Sequence, residues 1–269
     1  MAESVTPMMR QYRRIKSELS PDIILFFRLG DFYEMFFEDA QKAAPLLDVA
    51  LTKRNKVPMC GVPHHALETY LAKLIKAGQK VAVCDQVEDA SASKGIVRRE
   101  VTRVITAGTV TESNILESDQ HNFLAGICRA GDMFGFVLLD LSTGLFQGEE
   151  MATPEAVRDS LKRFVPTECL VPSAMADDPV LKAIFDSPSS VPVSACEDWT
   201  FEYESAYDNM IRHFGVHSLE GFGCEKKTAL VGAAGGVLYY IREELKRQVG
   251  HIHSFHVMNS SDFLLLDES

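Results

Sequence analysis

The chain has 269 residues, enough for two ordinary domains, and its 46% apolar and 24% charged residues are the balance of a water-soluble globular protein. No apolar run approaches the roughly 18 residues of a membrane span, and the opening MAESVTPMMRQYRRIK lacks the apolar core of a secretory signal. The net charge of −11 argues against a nucleic-acid partner until the chain is divided: residues 1–115 carry 16 Lys+Arg against 14 Asp+Glu, and residues 116–269 carry 11 against 24. The acidity therefore belongs to the second half. In the first half the positive charge is clustered at Arg10/Arg13/Arg14/Lys16, Lys53/Arg54/Lys56 and Lys94/Arg98/Arg99/Arg103, and each cluster taken singly reads equally well as a solvated face. Six cysteines without a CxxC pair point to a reduced, intracellular chain with neither a disulfide framework nor a zinc site.

The chain opens on a helix. Thr6 can cap it, Pro7 suits its first turn, and Met8, Tyr12, Ile15 and Leu19 recur at helical spacing. The apolar run at 23–29, IILFFRL, is short enough for a buried strand, and Gly30 with Asp31 marks a turn. Residues 32–44 read as a turn leading into a helix, 49–52 as a short strand, and the stretch to Pro58 as a polar loop. A second helix is predicted over 65–77, with Leu67, Tyr70, Leu71, Leu74 and Ile75 on one face and Gly78 past its end. Residues 80–87 and 98–106 are strand-like. This first domain, mixed α/β with basic loops, is taken to end at 115, and the polar stretch at 116–121 reads as a linker.

The second domain, 122–269, begins with two apolar strands, FLAGIC and MFGFVLLDL, separated by a Gly131-Asp132 turn, and a further hairpin turn at 142–144. Thr153 and Pro154 open a helix with Val157, Leu161 and Phe164 inward. A strand at 168–171, a short helix at 179–185, a strand at 191–195, helices at 202–214 and 228–248, and a strand at 251–258 follow. Three antiparallel strands and then alternating helices and strands predict a mixed sheet covered by helices.

The segment richest in chemistry is GDFYEMF, residues 30–36. In an extended stretch Phe32 and Glu34, two residues apart, point the same way. An exposed Phe can stack on a base as a wedge and kink a duplex from the minor groove. A carboxylate beside it is out of place near phosphates unless it touches a base. It could accept from an exocyclic or imino N–H or, with its pKa raised by burial and phosphate charge, donate to a ring nitrogen. F-x-E alone is too short to specify anything; by itself, Phe32 reads as core and Glu34 as surface.

The surrounding blocks reverse that reading. TPMM at 6–9, GDFYEMF, LDVALTKR at 47–54, VPMCGVPHHALETYLAKLIKAG at 57–78, VAVCDQVEDASASKG at 81–95 and VTRVITAGT at 101–109 come in an order that closely resembles the N-terminal domain of the bacterial MutS family. DLSTG at 140–144, LEGFGCE at 219–225 and the ending FLLLDES resemble that family's connector. The resemblance implies two α/β domains, a mismatch-binding one and an RNase H-like connector, which bind mispaired or unpaired bases in duplex DNA to initiate mismatch repair.

It also implies roles position by position. Phe32 matches the aromatic that stacks on the mispaired base, and Glu34 the carboxylate that hydrogen-bonds it. Arg54 matches a basic backbone contact, Met59 and the loop through His64 match the segment along the minor groove, and Arg103 resembles a further DNA-facing arginine. No catalysis, cofactor or metal is implied for this stretch, since the ATPase of the family, with its ATP and Mg²⁺, lies far downstream. The implied partners are mismatched double-stranded DNA, a MutL-type protein and, in the full-length protein, a second copy, in a cytoplasmic, nucleoid-associated setting without membrane contact. Kinking at a mismatch costs a few kcal/mol less than in perfect duplex, and Glu34 repels phosphates, which penalises generic binding. The chain departs from the family in having Asp89-Ala90 where many relatives have DP, TAGT at 106–109 where they have TPGT, and a short loop between LTKR and PMCG. These changes bear on loop geometry and phosphate contacts.

Three sharper motifs carry less. GFGCEKKT at 221–228 is one residue from a phosphate-binding loop, with Lys226 where the backbone needs Gly. His251, His253 and His256 could form a metal cluster, but on a strand the third points away from the first two. Asp140 invites a magnesium-dependent nuclease reading, for which several carboxylates would have to gather; one Asp in a turn-forming DLSTG reads as structural.

Overall fold

The computed structural model describes residues 6–87, 97–111, 121–185 and 191–259. Lys94, the Asp89-Ala90 departure, the FLLLDES ending and most of the 116–121 linker lie outside them. The chain divides into two compact units, the first running to Ala107 and the second taking Gly108–Thr111 together with the residues from 121 onward. Among the described residues no helix is long and apolar enough to cross a membrane.

In the first unit, helix α1 (Pro7–Ser17) starts on Thr6, whose hydroxyl accepts the Met9 N–H at 3.4 Å. Its inner face is Met9, Tyr12 and Ile15, so Met9 rather than Met8 is the buried methionine. Strand β1 (Ile23–Leu29) is joined to β2 (Phe32–Phe36) by the two-residue turn at Gly30 and Asp31, with Gly30 at φ 56. Helix α2 (Phe37–Leu47) follows directly; Phe37 at φ 55 turns the chain out of the sheet, and Asp48 at φ 57 closes the helix. Residues 32–36 are thus a strand, where a turn entering a helix was expected.

The short strand expected at 49–52 lies instead at Thr52–Arg54 (β3), and the expected polar loop is a hairpin to β4 (Val57–Pro63). Cross-strand pairing through the Asn55-Lys56 turn, both residues at positive φ, sets that register. Helix α3 (Leu67–Lys76), β5 (Lys80–Gln86) and β6 (Arg99–Ile105) complete the unit. The sheet order is β3-β4-β2-β1-β5-β6, antiparallel except for β1 with β5. Register puts Phe27, Glu34 and Phe36 on one face, where Tyr12 of α1 meets the Phe27 and Phe36 rings edge-on at 5.5 and 5.0 Å. Phe26, Tyr33 and Met35 face the other way.

The second unit is built on β7 (Phe123–Ala130), β8 (Met133–Asp140), β9 (Leu145–Met151), β10 (Glu168–Pro172), β11 (Val193–Cys196) and β12 (His256–Val257), in the order β11-β10-β7-β8-β9-β12. The first three strands pair antiparallel and β10, β11 and β12 add in parallel, which is the mixed sheet the pattern predicted. One face packs Phe134, Phe136 and Leu138 against α4 (Pro154–Phe164) and α5 (Pro179–Phe185). On the other lies α7 (Thr228–Tyr239), whose residues 229–238 are all buried, with α6 (Tyr203–Phe214) against it.

Glycines permit the close approach of α7: a Cβ on Gly135 would stand 2.0 Å from the Ala229 carbonyl oxygen, and one on Gly235 would meet Ala206 at 2.4 Å. The helix expected to run to 248 becomes a π-turn at Tyr240–Glu244 and stops where Lys246 takes φ 53 and the Arg247 N–H bonds back to the Ile241 carbonyl. Only His256–Val257 of the predicted 251–258 strand joins the sheet; nearby backbone carbonyls bond to side chains instead, that of Leu141 to His251 and that of Ile252 to His213.

Candidate nucleic-acid interface

Phe32 and Glu34 share a face of β2. Phe32 pairs with Leu29 and Pro63, Glu34 with Phe27 and Gly61. Although its neighbours Tyr33, Met35 and Phe36 are buried, Phe32 is 47% exposed beside the hairpin turn. About half of its surface stays in water and forgoes the stabilisation that burial would give. The Glu34 side chain is only 14% exposed. A Cβ on Gly61 would lie 3.5 Å from its Cγ, so the glutamate stem crosses the strand over a residue without a side chain. The first reading from the F-x-E residues alone is inverted: the aromatic is outside and the carboxylate is half inside.

Arg54 reaches Glu34 from β3, its Nη1 donating to Oε2 at 2.6 Å. Burial pushes the Glu34 carboxyl up and the Arg54 charge and hydrogen bond pull it down, leaving it above its ordinary value. Thr52 pairs with Met59 and Arg54 with Val57, which puts Arg54 and Met59 on the face of Phe32 and Glu34. His64 follows β4 and ties down the hairpin turn: its N–H donates to the Asp31 carbonyl at 2.9 Å, with Nδ1 3.2 Å from the same oxygen. Behind the hairpin the Tyr33 hydroxyl donates to Asp85 Oδ1 at 2.5 Å and Arg28 lies over the Tyr33 ring. Burial and Asp85 push that phenol up to about 12.

Of the six residues singled out in the sequence, Phe32, Glu34, Arg54 and Met59 therefore share one face of β2, β3 and β4, and His64 follows at the end of β4 against the β1–β2 turn. Arg103 does not join them. It pairs with Val83, which faces with Phe26, and its Nη2 donates to Glu68 of α3 at 2.7 Å on the opposite side of the sheet. The basic clusters also separate. Lys16 is bonded to Asp39, and Arg13 lies over the Phe37 ring. Arg99 is buried, donating to the Arg28 and Val97 carbonyls and to Gln11. Lys53, Arg54 and Lys56 are exposed on the β3–β4 hairpin, with Arg54 reaching Glu34 and Lys53, paired with Pro58, on the opposite sheet face. Sequence reasoning missed this hairpin and Gly61; Asn55, a residue that tolerates positive φ between two extended runs, was the available signal.

The other motifs resolve into structure. Asp140 is buried; Oδ1 accepts from Ser142 N–H at 2.9 Å, Ser142 Oγ at 2.6 Å and Thr143 N–H at 3.3 Å, and Oδ2 lies 2.8 Å from His121 Nδ1. No group of three or more His, Cys, Asp and Glu side chains among the described residues is arranged to hold a metal ion. In the 221–228 stretch Glu225 accepts from Tyr207 and from the Leu219 N–H, a closure of the loop before α7.

A two-domain α/β protein with an aromatic, a carboxylate and an arginine gathered on one sheet face is thus defined. The family models described as MutS domain I and MutS domain II match residues 6–114 and 122–253. The chain is 41% identical over 273 residues to the DNA mismatch repair protein MutS of Desulfatibacillum aliphaticivorans, covering 100% of this chain and 31% of that protein. It is 41% identical to that of Desulforapulum autotrophicum, covering 98% of this chain and 30% of the relative, and 42% identical to that of Solibacter usitatus, covering 99% and 31%. The chain belongs to the MutS family and spans about three-tenths of the length of these relatives.

Proposed function

We propose that the first unit binds mispaired or unpaired bases in duplex DNA and so initiates mismatch repair, the process named for the relatives. The observation that carries this reading is the exposure of Phe32 at a rigid two-residue hairpin, with Glu34 beside it on the same face. Phe32 enters the duplex from the minor groove and stacks on a base that a mismatch has already loosened. Glu34 hydrogen-bonds the displaced base, and Lys53, Arg54 and Lys56 supply phosphate attraction. Met59 and His64 lie along the groove. Arg103, bonded to Glu68 on the far face, lies apart from this set. Neither unit catalyses a reaction; the ATPase with its ATP and Mg²⁺ belongs to other parts of the full-length protein, and the second unit relays binding to them. A MutL-type protein and a second copy are the protein partners, in the cytoplasm.

A low-salt titration of labelled duplexes, one with a central G·T mismatch and one perfectly paired, tests the reading. Base–aromatic stacking is worth about 1–3 kcal/mol, so Phe32→Ala should remove a mismatch preference of roughly tenfold while leaving binding to perfect duplex nearly unchanged. Equal binding of both duplexes by the unaltered chain would reduce the interaction to phosphate attraction and end the wedge assignment.

A further inference from the structure

We infer that Arg54 is a specificity-determining residue that exchanges partners: it is the counterion of Glu34 in the free chain, and a DNA phosphate draws it away, leaving the carboxylate to be satisfied by a displaced base or by nothing. The inference rests on the mismatch-binding reading above and assigns within it a role beyond backbone contact.

The geometry is asymmetric. Arg54 Nη1 is 2.6 Å from Glu34 Oε2, but the arginine side chain is 46% exposed and the glutamate 14%. Arg54 ends a three-residue strand next to the Asn55-Lys56 turn, with Lys53 and Lys56 exposed around it, so it is reachable by a phosphate. Glu34 lies in the middle of β2 across Gly61 and cannot follow. A guanidinium carries five donors in a planar fork that suits carboxylate and phosphate alike, so the transfer keeps its hydrogen bonds.

The consequence falls on Glu34. On perfect duplex the base edges remain paired and stacked, and a half-buried carboxylate that has lost its counterion faces phosphates with no donor. At a mismatch the displaced base offers an N–H. Discrimination then comes as much from the penalty on perfect duplex as from the contact at the mismatch. A static phosphate-binding arginine would strengthen both complexes equally and give no such difference.

The test has two arms, both on the whole chain. Carbon-13 NMR of the Glu34 carboxyl, without DNA, compares the unaltered chain with Arg54→Met, which keeps the stem and removes the charge. The titration midpoint should rise in the variant, because burial remains and the counterion is gone. An unchanged midpoint would mean that the pair does not form in solution, and the inference would be overturned whatever Phe32→Ala does.

The second arm measures affinity for the G·T and perfect duplexes with Arg54→Met, Glu34→Gln and the double variant. Exchange predicts that losing Arg54 weakens binding more in the Glu34→Gln background, where the arginine has no partner to leave, by roughly two- to fivefold. Effects that simply multiply would overturn the exchange and leave Arg54 a static phosphate contact. If the unaltered chain binds neither duplex, the exchange fails together with the reading it rests on, a result the first arm distinguishes from failure of the pair itself.

Discussion

The Tyr12 hydroxyl of α1 donates to Asp39 Oδ2 of α2 at 3.1 Å, inside the first unit. The same oxygen accepts the Leu25 N–H of β1 at 2.9 Å, and Oδ1 meets Lys16 at 2.9 Å. One carboxylate therefore locks two helices and a strand around the junction from which β2 and the Phe32–Glu34 pair project. Removing it leaves the Leu25 N–H without this acceptor and takes one of two acceptors from the Tyr12 hydroxyl and from Lys16, which keep the Phe36 and Ile23 carbonyls. Asp39→Ala should cost about 1–3 kcal/mol and Tyr12→Phe about 1 kcal/mol, both read from urea unfolding midpoints.

Phe32 and Phe36 lie four residues apart on one strand face with opposite fates. Phe36 is fully buried against Tyr12, so Phe36→Ala should destabilise the first unit by about 3–5 kcal/mol. Phe32→Ala should change stability by no more than about 0.5 kcal/mol. Thermal unfolding of the two variants would show whether a loss of DNA binding in Phe32→Ala is a loss of contact; a large drop in Tm for that variant would place the ring in the core instead.

In the second unit, Gly135 of β8 lets the backbone of α7 touch the sheet. The 2.0 Å approach of an added Cβ to the Ala229 carbonyl involves backbone, which cannot rotate out of the way. Gly135→Ala should cost about 3 kcal/mol or more by forcing α7 off the sheet. Gly131→Ala, where nothing lies within 4 Å but φ is 59, should cost about 1 kcal/mol, from backbone strain alone.

Asp140 gives a pH signature. Burial pushes its carboxyl up, but the hydrogen bonds from Ser142, His121 and the Ser142 and Thr143 amides together outweigh it and hold it below the ordinary carboxylate value. A carboxyl with a depressed folded-state pKa contributes stability that is present above the unfolded value, about 3.9, and is lost as pH falls through the folded one. Between pH 7 and pH 3 the unaltered chain should therefore lose more stability than Asp140→Asn, and guanidinium unfolding at the two pH values measures the difference. Equal losses would show that the carboxylate is not held by these donors.

Much of this fold was legible along the chain. The strand at 23–29, the hairpin turns at Gly30 and Gly131, the caps at Thr6 and Thr153, and the mixed order of the second sheet all follow from local pattern: apolar runs, alternation, and turn residues whose backbone preferences are intrinsic. What misled was local signal overridden by pairing. Residues 32–36 carry five large side chains that fit a helix entry as well as a strand, and β1 and β4 on either side decide for the strand. The β3–β4 hairpin has no Asn-Gly turn; cross-strand pairing holds Asn55 and Lys56 at positive φ despite the cost to a lysine.

The sequence by itself determined which residue types stand where: an aromatic and a carboxylate at period two, an arginine twenty residues on, and order enough along the chain to carry the family resemblance. It could not determine their environments. That Phe32 is outside and Glu34 half inside, that Gly61 lies under the carboxylate, that Arg54 closes on it while Arg103 leaves for Glu68 on the far face, was decided only in the tertiary structure. The reason is physical: burial and ion pairing depend on which strands become neighbours and in what register, and a shift of one residue would exchange the two faces of β2.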